Sequence, residues 1–198
     1  MEKLIEFIDT ADRNLFIFLN SLHHPHLDFF MYWMSDRWIW IPFYAVLVII
    51  IASRFKWKSI LIVSSIAVTI ILADQITSGI MKPLFERYRP CHDPELLAIV
   101  HTLNHCGGKF GLASSHAANT FALAMFIWML FRKYYSWTWL IFLWAAVVSY
   151  SRIYLGVHYP GDILLGGITG ILAAYLVFHF YEWIHIKWGI RANSQKTF

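Results

Sequence analysis

GDILLGGITGILAAYLVFHFYEW, residues 161–183, decides which kind of fold this chain can form. No Asp, Glu, Lys or Arg lies between Asp162 and Glu182. A helix needs about 20 predominantly apolar residues to cross the hydrocarbon core of a bilayer, and this run supplies them. Gly166, Gly170 and Ala174 recur at four-residue spacing, so they share one helix stripe. Small residues on one stripe let two helices approach closely. That stripe is about packing and carries no catalytic role.

Four more apolar runs precede it, at 38–53, 59–81, 114–131 and 137–150, with Asp74 and Gln75 interrupting the end of the second. Two of them, 38–53 and 137–150, are short for a span and must place Trp and Tyr at the headgroups. The chain has 198 residues, 59% of them hydrophobic, 18% aromatic and only 14% charged. Its mean hydropathy is +0.54. A soluble domain carries roughly a quarter charged residues, so the deficit implies a surface facing lipid. The net charge of +4 is gathered in short clusters between apolar runs. It therefore reads as membrane topology, with no nucleic-acid partner.

The fold expected is all-α: one polytopic transmembrane domain over 1–198. Residues 1–36 form its amphipathic interfacial start, 37–186 the catalytic bundle and 187–198 a cytoplasmic tail. Leu4, Ile5, Ile8, Leu15, Phe18 and Leu19 recur at helical spacing between charges, which predicts one or two helices at the interface or entering it obliquely. The acidic residues Glu2, Glu6, Asp9 and Asp12 argue against a signal peptide. Residues 21–36 are polar and aromatic.

Arg54/Lys56/Lys58, Arg132/Lys133 and Lys187/Arg191 fall on one side if the spans alternate, and Lys196 follows in the tail. Basic loops stay in the cytoplasm. The polar stretch 82–113 and the connection 151–160 then share the outer side. The two cysteines, Cys91 and Cys106, sit in that outer stretch. An oxidising compartment favours a disulfide. Zinc is the alternative, because His92 and His105 adjoin them, and an unpaired couple is a third.

Three segments meet at the outer face. They are Lys82-Pro-Leu-Phe-Glu-Arg-Tyr-Arg89-Pro90, Ala113-Ser114-Ser115-His116, and Ser151-Arg152 through His158 to Asp162. Lys82, Arg89 and Arg152 are cations at a membrane boundary, where a phosphate is a fitting partner. Ser114 stands where a helix N-cap belongs. Its hydroxyl and the backbone amides of Ser115 and His116 can point at one anion. Metal-free phosphoryl transfer needs a nucleophile and an acid. His158 stands four residues before Asp162, which can hold one ring nitrogen and leave the other to attack. His116 suits the general acid. Taken singly, each residue is an anchor, a cap or a headgroup-level histidine; it is their convergence on one face that points to chemistry.

These segments resemble the signature of the type 2 phosphatidic acid phosphatase superfamily: Lys, six residues, Arg-Pro; then Pro-Ser-Gly-His; then Ser-Arg, five residues, His, three residues, Asp. The first and third parts match at Lys82, Arg89 and Pro90 and at Ser151, Arg152, His158 and Asp162. In the second part Ala113 replaces Pro and Ser115 replaces Gly. The resemblance implies a bundle of about six helices with a metal-free, cofactor-free site at the outer face. It implies His158 as nucleophile held by Asp162, and His116 as acid. Lys82, Arg89, Ser114, Arg152 and the Ser115 amide become the phosphate ligands. The substrate expected is a lipid phosphate met in the bilayer, undecaprenyl pyrophosphate or phosphatidylglycerol phosphate, with no protein partner implied. A bacterial cytoplasmic membrane, with the site facing the periplasm or exterior, is the expected location.

The alternatives share the chemistry (a lipid A phosphatase, a lipid phosphotransferase) or lack it (a transporter or scaffold). The soluble haloperoxidases related to this superfamily are disfavoured by the apolar spans. Asp74, Ser78 and Lys82 share a helix face, read as a polar helix contact. His23, His24 and His26 read as interfacial, and no role is assigned to Glu86, Arg87 or Tyr88.

Overall fold

The protein, seen in a computed structural model, is described over residues 2–103 and 106–194, the side chains of 188–194 excepted. Met1, His105 of the alternative zinc set, the Arg191 side chain and Lys196 lie outside the described residues. The amphipathic start folds into α1 (Glu2–Ser21) and α2 (Pro25–Ser35). Leu4, Ile5, Phe7 and Ile8 of α1 are exposed, while Phe16 and Asn20 are buried. Asn20 donates from Nδ2 to the carbonyls of Ile153 and Tyr154 and accepts from the His101 amide. One amide side chain thus serves carbonyls of the last turn of α7, where intrahelical partners run out; that of Ile153 also accepts from the Gly156 amide.

Helix α2 lies in the stretch read from sequence only as polar and aromatic. His24 caps it, accepting from the His26 amide, and Pro25 occupies its first turn, where a missing N–H costs nothing. Asp28 on α2 accepts from the Tyr154 hydroxyl at 2.6 Å and meets His101 Nε2 at 3.0 Å.

A 3-10 turn at Trp38–Trp40 leads into α3 (Ile41–Phe55), and α4 (Ser59–Asp74) follows. Asp74 and Gln75 do not end the helical run. It passes through a π-helical segment, Gln75–Met81, into α5 (Lys82–Phe85). Asp74 accepts from Asn119 at 3.5 Å, the polar helix contact expected of it. Helix α6 (Ser115–Phe131) is buried along most of its length and forms the axis of the bundle.

Helix α7 (Ile141–Tyr154) runs further than its apolar run, carrying Ser151 and Arg152 inside the helix. Gly156, at φ +68, ends it, where a Cβ would press on Val100 and the His101 carbonyl. Helix α8 (Pro160–Ser194) extends well past Trp183, and its part Pro160–Lys187 is long and apolar enough to cross a membrane.

Helices α6 and α8 pack backbone to backbone. A Cβ at Gly166 would collide with the Ser114 carbonyl, and one at Gly170 with that of Ala118. The small-residue stripe therefore fixes the height of the α6 N-terminus against α8. At the opposite end Phe55 and Phe131 meet at 5.7 Å, and Arg54 lies 4.7 Å over the Tyr134 ring. The two basic turns are thus neighbours at the end away from the three motifs.

Candidate active site

Two helix N-termini and one tight connection bring the motifs together. The Ser114 amide donates to the Asp162 carbonyl at 2.9 Å, tying the start of α6 to the first turn of α8. Between α7 and α8, the His158 amide donates to the Arg152 carbonyl at 3.2 Å. His158 is buried, and its Nδ1 lies 3.2 Å from Asp162 Oδ2. The same oxygen accepts from the Tyr159 amide at 3.1 Å. With Nδ1 donating to the carboxylate, Nε2 keeps its lone pair. Burial, then Arg89, Arg152 and Lys82, hold the His158 ring well below its ordinary value of 6.5, and a hydrogen bond with Gly111 works weakly the other way. The ring is therefore neutral, the state a nucleophile needs.

The cations surround it. Arg89 is braced by backbone carbonyls, Nε on Phe110 and Nη1 on Cys106, both at 3.1 Å. Cys91 and Cys106 form a disulfide, Cα–Cα 5.9 Å, which occupies both sulfurs that the zinc alternative needed. Arg152 donates through Nη1 to the Ser35 hydroxyl at the end of α2. Its Nε is buried without a hydrogen-bond partner among the described residues. Lys82 Nζ donates to the Ser115 hydroxyl at 2.7 Å and to Ser78 at 3.2 Å. His116 is within electrostatic range of Arg152, His158, Lys82 and Arg89. The Ser114 hydroxyl accepts from the Ala117 amide at 3.4 Å, so it serves as the helix cap. Ser115, standing where the family signature has Gly, contributes a hydroxyl that also reaches Thr77 and Ser78.

Every residue picked from the sequence as a site residue thus lies in one cluster, the disulfide included. Two groups were not picked. Arg87 Nη1 lies 3.1 Å from Asp162 Oδ1 and 2.8 Å from Asp12 Oδ2, and Nη2 lies 2.9 Å from Asp9 Oδ1. Asp12 also accepts from the Gly161 amide at 2.7 Å. The available signal was a third basic residue inside the first motif, beside an acidic N-terminal helix. The second group walls a cavity of about 330 Å³ whose lining includes His116, Arg152, Ser35, Asp36, Arg37 and Trp38. Nothing in the local pattern of residues 35–38 separates a cavity wall from the start of a span.

The PAP2 superfamily model matches residues 58–186, a range that contains all three motifs. A lipid A 4′-phosphatase of Bacteroides thetaiotaomicron is 41% identical over 181 residues, covering 88% of this chain and 79% of that protein. A lipid A 4′-phosphatase of Porphyromonas gingivalis is 36% identical, covering 93% of this chain and 78% of that protein. The crystal structure of Aquifex aeolicus LpxE superposes with a TM-score of 0.65 at 25% identity, covering 84% of this chain and 93% of that one. Taken with the buried His–Asp pair ringed by cations, these likenesses establish that the chain belongs to the PAP2 superfamily and is a membrane lipid phosphatase.

Proposed function

We propose that the protein hydrolyses a phosphate monoester on a glycolipid of the lipid A class, without a metal and through a phosphohistidine. His158 Nε2 attacks phosphorus as the bond to the lipid oxygen breaks. His116 gives that oxygen its proton. A water deprotonated by His116 then cleaves the N–P bond, releasing inorganic phosphate and free His158. Lys82, Arg89, Arg152 and the amides of Ser115 and His116 neutralise the non-bridging oxygens. Arg152 Nε, otherwise unsatisfied, would donate to one of them.

The observation that carries the reading is the buried His158–Asp162 contact at 3.2 Å with those cations in electrostatic range. The choice of a glycolipid monoester over undecaprenyl pyrophosphate or phosphatidylglycerol phosphate rests on the 41% likeness over most of the chain. The basic turns at the far end support an orientation with the site facing the periplasm or exterior of a bacterial cytoplasmic membrane. Residues 1–36 would then lie at the outer interface, 37–186 form the catalytic bundle, and 187–198 face the cytoplasm.

The test is phosphate release from a panel of a lipid A phosphate, undecaprenyl pyrophosphate and phosphatidylglycerol phosphate, in EDTA, with His158→Ala beside it. Release from the glycolipid that EDTA spares and His158→Ala abolishes is the expected result. A requirement for magnesium, or turnover that survives His158→Ala, overturns the mechanism. An added alcohol acceptor separates hydrolysis from phosphotransfer.

A further inference from the structure

The group that departs from phosphorus must sit against the acid that protonates it. Under the function proposed above, that acid is His116, so the residues that share a cavity with His116 select the leaving group. The 330 Å³ cavity is lined by His116 and Arg152 together with the end of α2 and the turn that follows it. It is far larger than a phosphoryl group needs and reaches the lower range of small-molecule pockets, about 300 Å³.

The chemistry of that wall is mixed. Arg37 is exposed and has no carboxylate partner among the described residues; its guanidinium lies 5.2 Å from the Trp38 ring centre. Trp38 is 64% exposed. Asp36 Oδ1 accepts from the Trp38 amide at 2.8 Å, which closes the turn that carries all three side chains. Ser35 adds a hydroxyl that already holds Arg152.

We propose that Asp36, Arg37 and Trp38 form a subsite for a sugar carried on the leaving oxygen, and so set the substrate class as a phosphorylated glycolipid. Sugar hydroxyls both donate and accept, which suits a carboxylate next to a guanidinium, and a pyranose offers an apolar face to an indole. An acyl or prenyl chain would meet charged groups at this wall. A second phosphate, as in a prenyl diphosphate, would find Arg37 but be repelled by Asp36. A site built to bond hydroxyls also rejects analogues that lack them.

The test compares kcat/KM for a lipid A phosphate, phosphatidic acid and a prenyl diphosphate in the same micelles, using the full chain and its Trp38→Ala, Trp38→Phe and Asp36→Asn forms. Trp38→Ala and Asp36→Asn are expected to lower the ratio of glycolipid to phosphatidic acid turnover about tenfold, a modest specificity effect, mainly through KM. Trp38→Phe recovers most of it. A second measurement needs no variant: glucosamine 6-phosphate should inhibit the unsubstituted enzyme at about tenfold lower concentration than glycerol 3-phosphate. Equal loss on all lipids with equal inhibition by the two phosphates overturns the sugar subsite alone. Selective loss on the prenyl diphosphate overturns it in favour of a second phosphate. No His158-dependent release from any lipid by the unsubstituted chain overturns the function reading itself.

Discussion

Arg87 and Asp162 form an ion pair, Nη1 to Oδ1 at 3.1 Å, on the carboxylate whose other oxygen meets His158. Through the same guanidinium the pair reaches Asp9 and Asp12 on α1, and it lies 4.1 Å over the Tyr159 ring. The N-terminal helix is thereby coupled to the group that orients the proposed nucleophile. Asp162 is fully buried and Arg87 mostly so. Removing one member of a buried pair leaves the other charge uncompensated, at about 3–5 kcal/mol.

Arg87→Met is therefore expected to destabilise the enzyme by about 3 kcal/mol and to lower kcat more than it raises KM, because Arg87 orients Asp162 while Lys82, Arg89 and Arg152, the proposed phosphate ligands, stay in place. Asp12→Asn should show the same pattern more weakly. Thermal unfolding in detergent and steady-state kinetics check this. A change confined to KM would place Arg87 on the substrate and away from the His158–Asp162 pair.

The pH profile has a definite sign. His158 is held neutral by burial and by Arg89, Arg152 and Lys82, so its protonation lies well below 6.5. The acidic limb of kcat/KM should accordingly fall below pH 6.5. Arg89→Gln removes one opposing cation, which eases protonation of the ring, so that limb should move upward while kcat/KM drops. Rate profiles of both forms over pH 4–9 on one lipid phosphate decide it; an unshifted limb means another group controls it.

The disulfide closes a loop of sequence separation 15, from Cys91 to Cys106, and the Cys106 carbonyl accepts from Arg89. A loop of that length contributes about 3 kcal/mol by restricting the unfolded chain. Cys91→Ser with Cys106→Ser, or a reductant, should cost about that much stability and raise KM by loosening Arg89. Sensitivity to chelators, with indifference to reductants, would favour the zinc alternative.

Much of the site was legible because its signals are short-range. Asp162 follows His158 by four residues and Ser114 immediately precedes an apolar helix, so spacing alone suggested a pair and a cap, and both appear. The helical extents were less legible. Arg152 looked like part of a connection because its charge ends an apolar run, yet backbone hydrogen bonding carries α7 through Tyr154. Helix α2 was hidden because its residues are chosen for contacts with α7, such as Asp28 with Tyr154, and show no clear periodicity of their own.

The order of apolar runs and the three motifs sufficed to determine a membrane helical bundle with the cations and both histidines gathered at one face, since every backbone polar group in lipid must be paired internally and charges at a membrane boundary cluster where they find partners. Which third basic residue holds Asp162, and which wall faces His116, belong to the tertiary structure alone. Arg87 meets Asp12 at a sequence separation of 75, and Ser35 meets Arg152 at a larger one, 117. Contacts that distant arise only when helices pack, and close approach such as that of the α8 glycines to α6 sets the relative height of the helix ends.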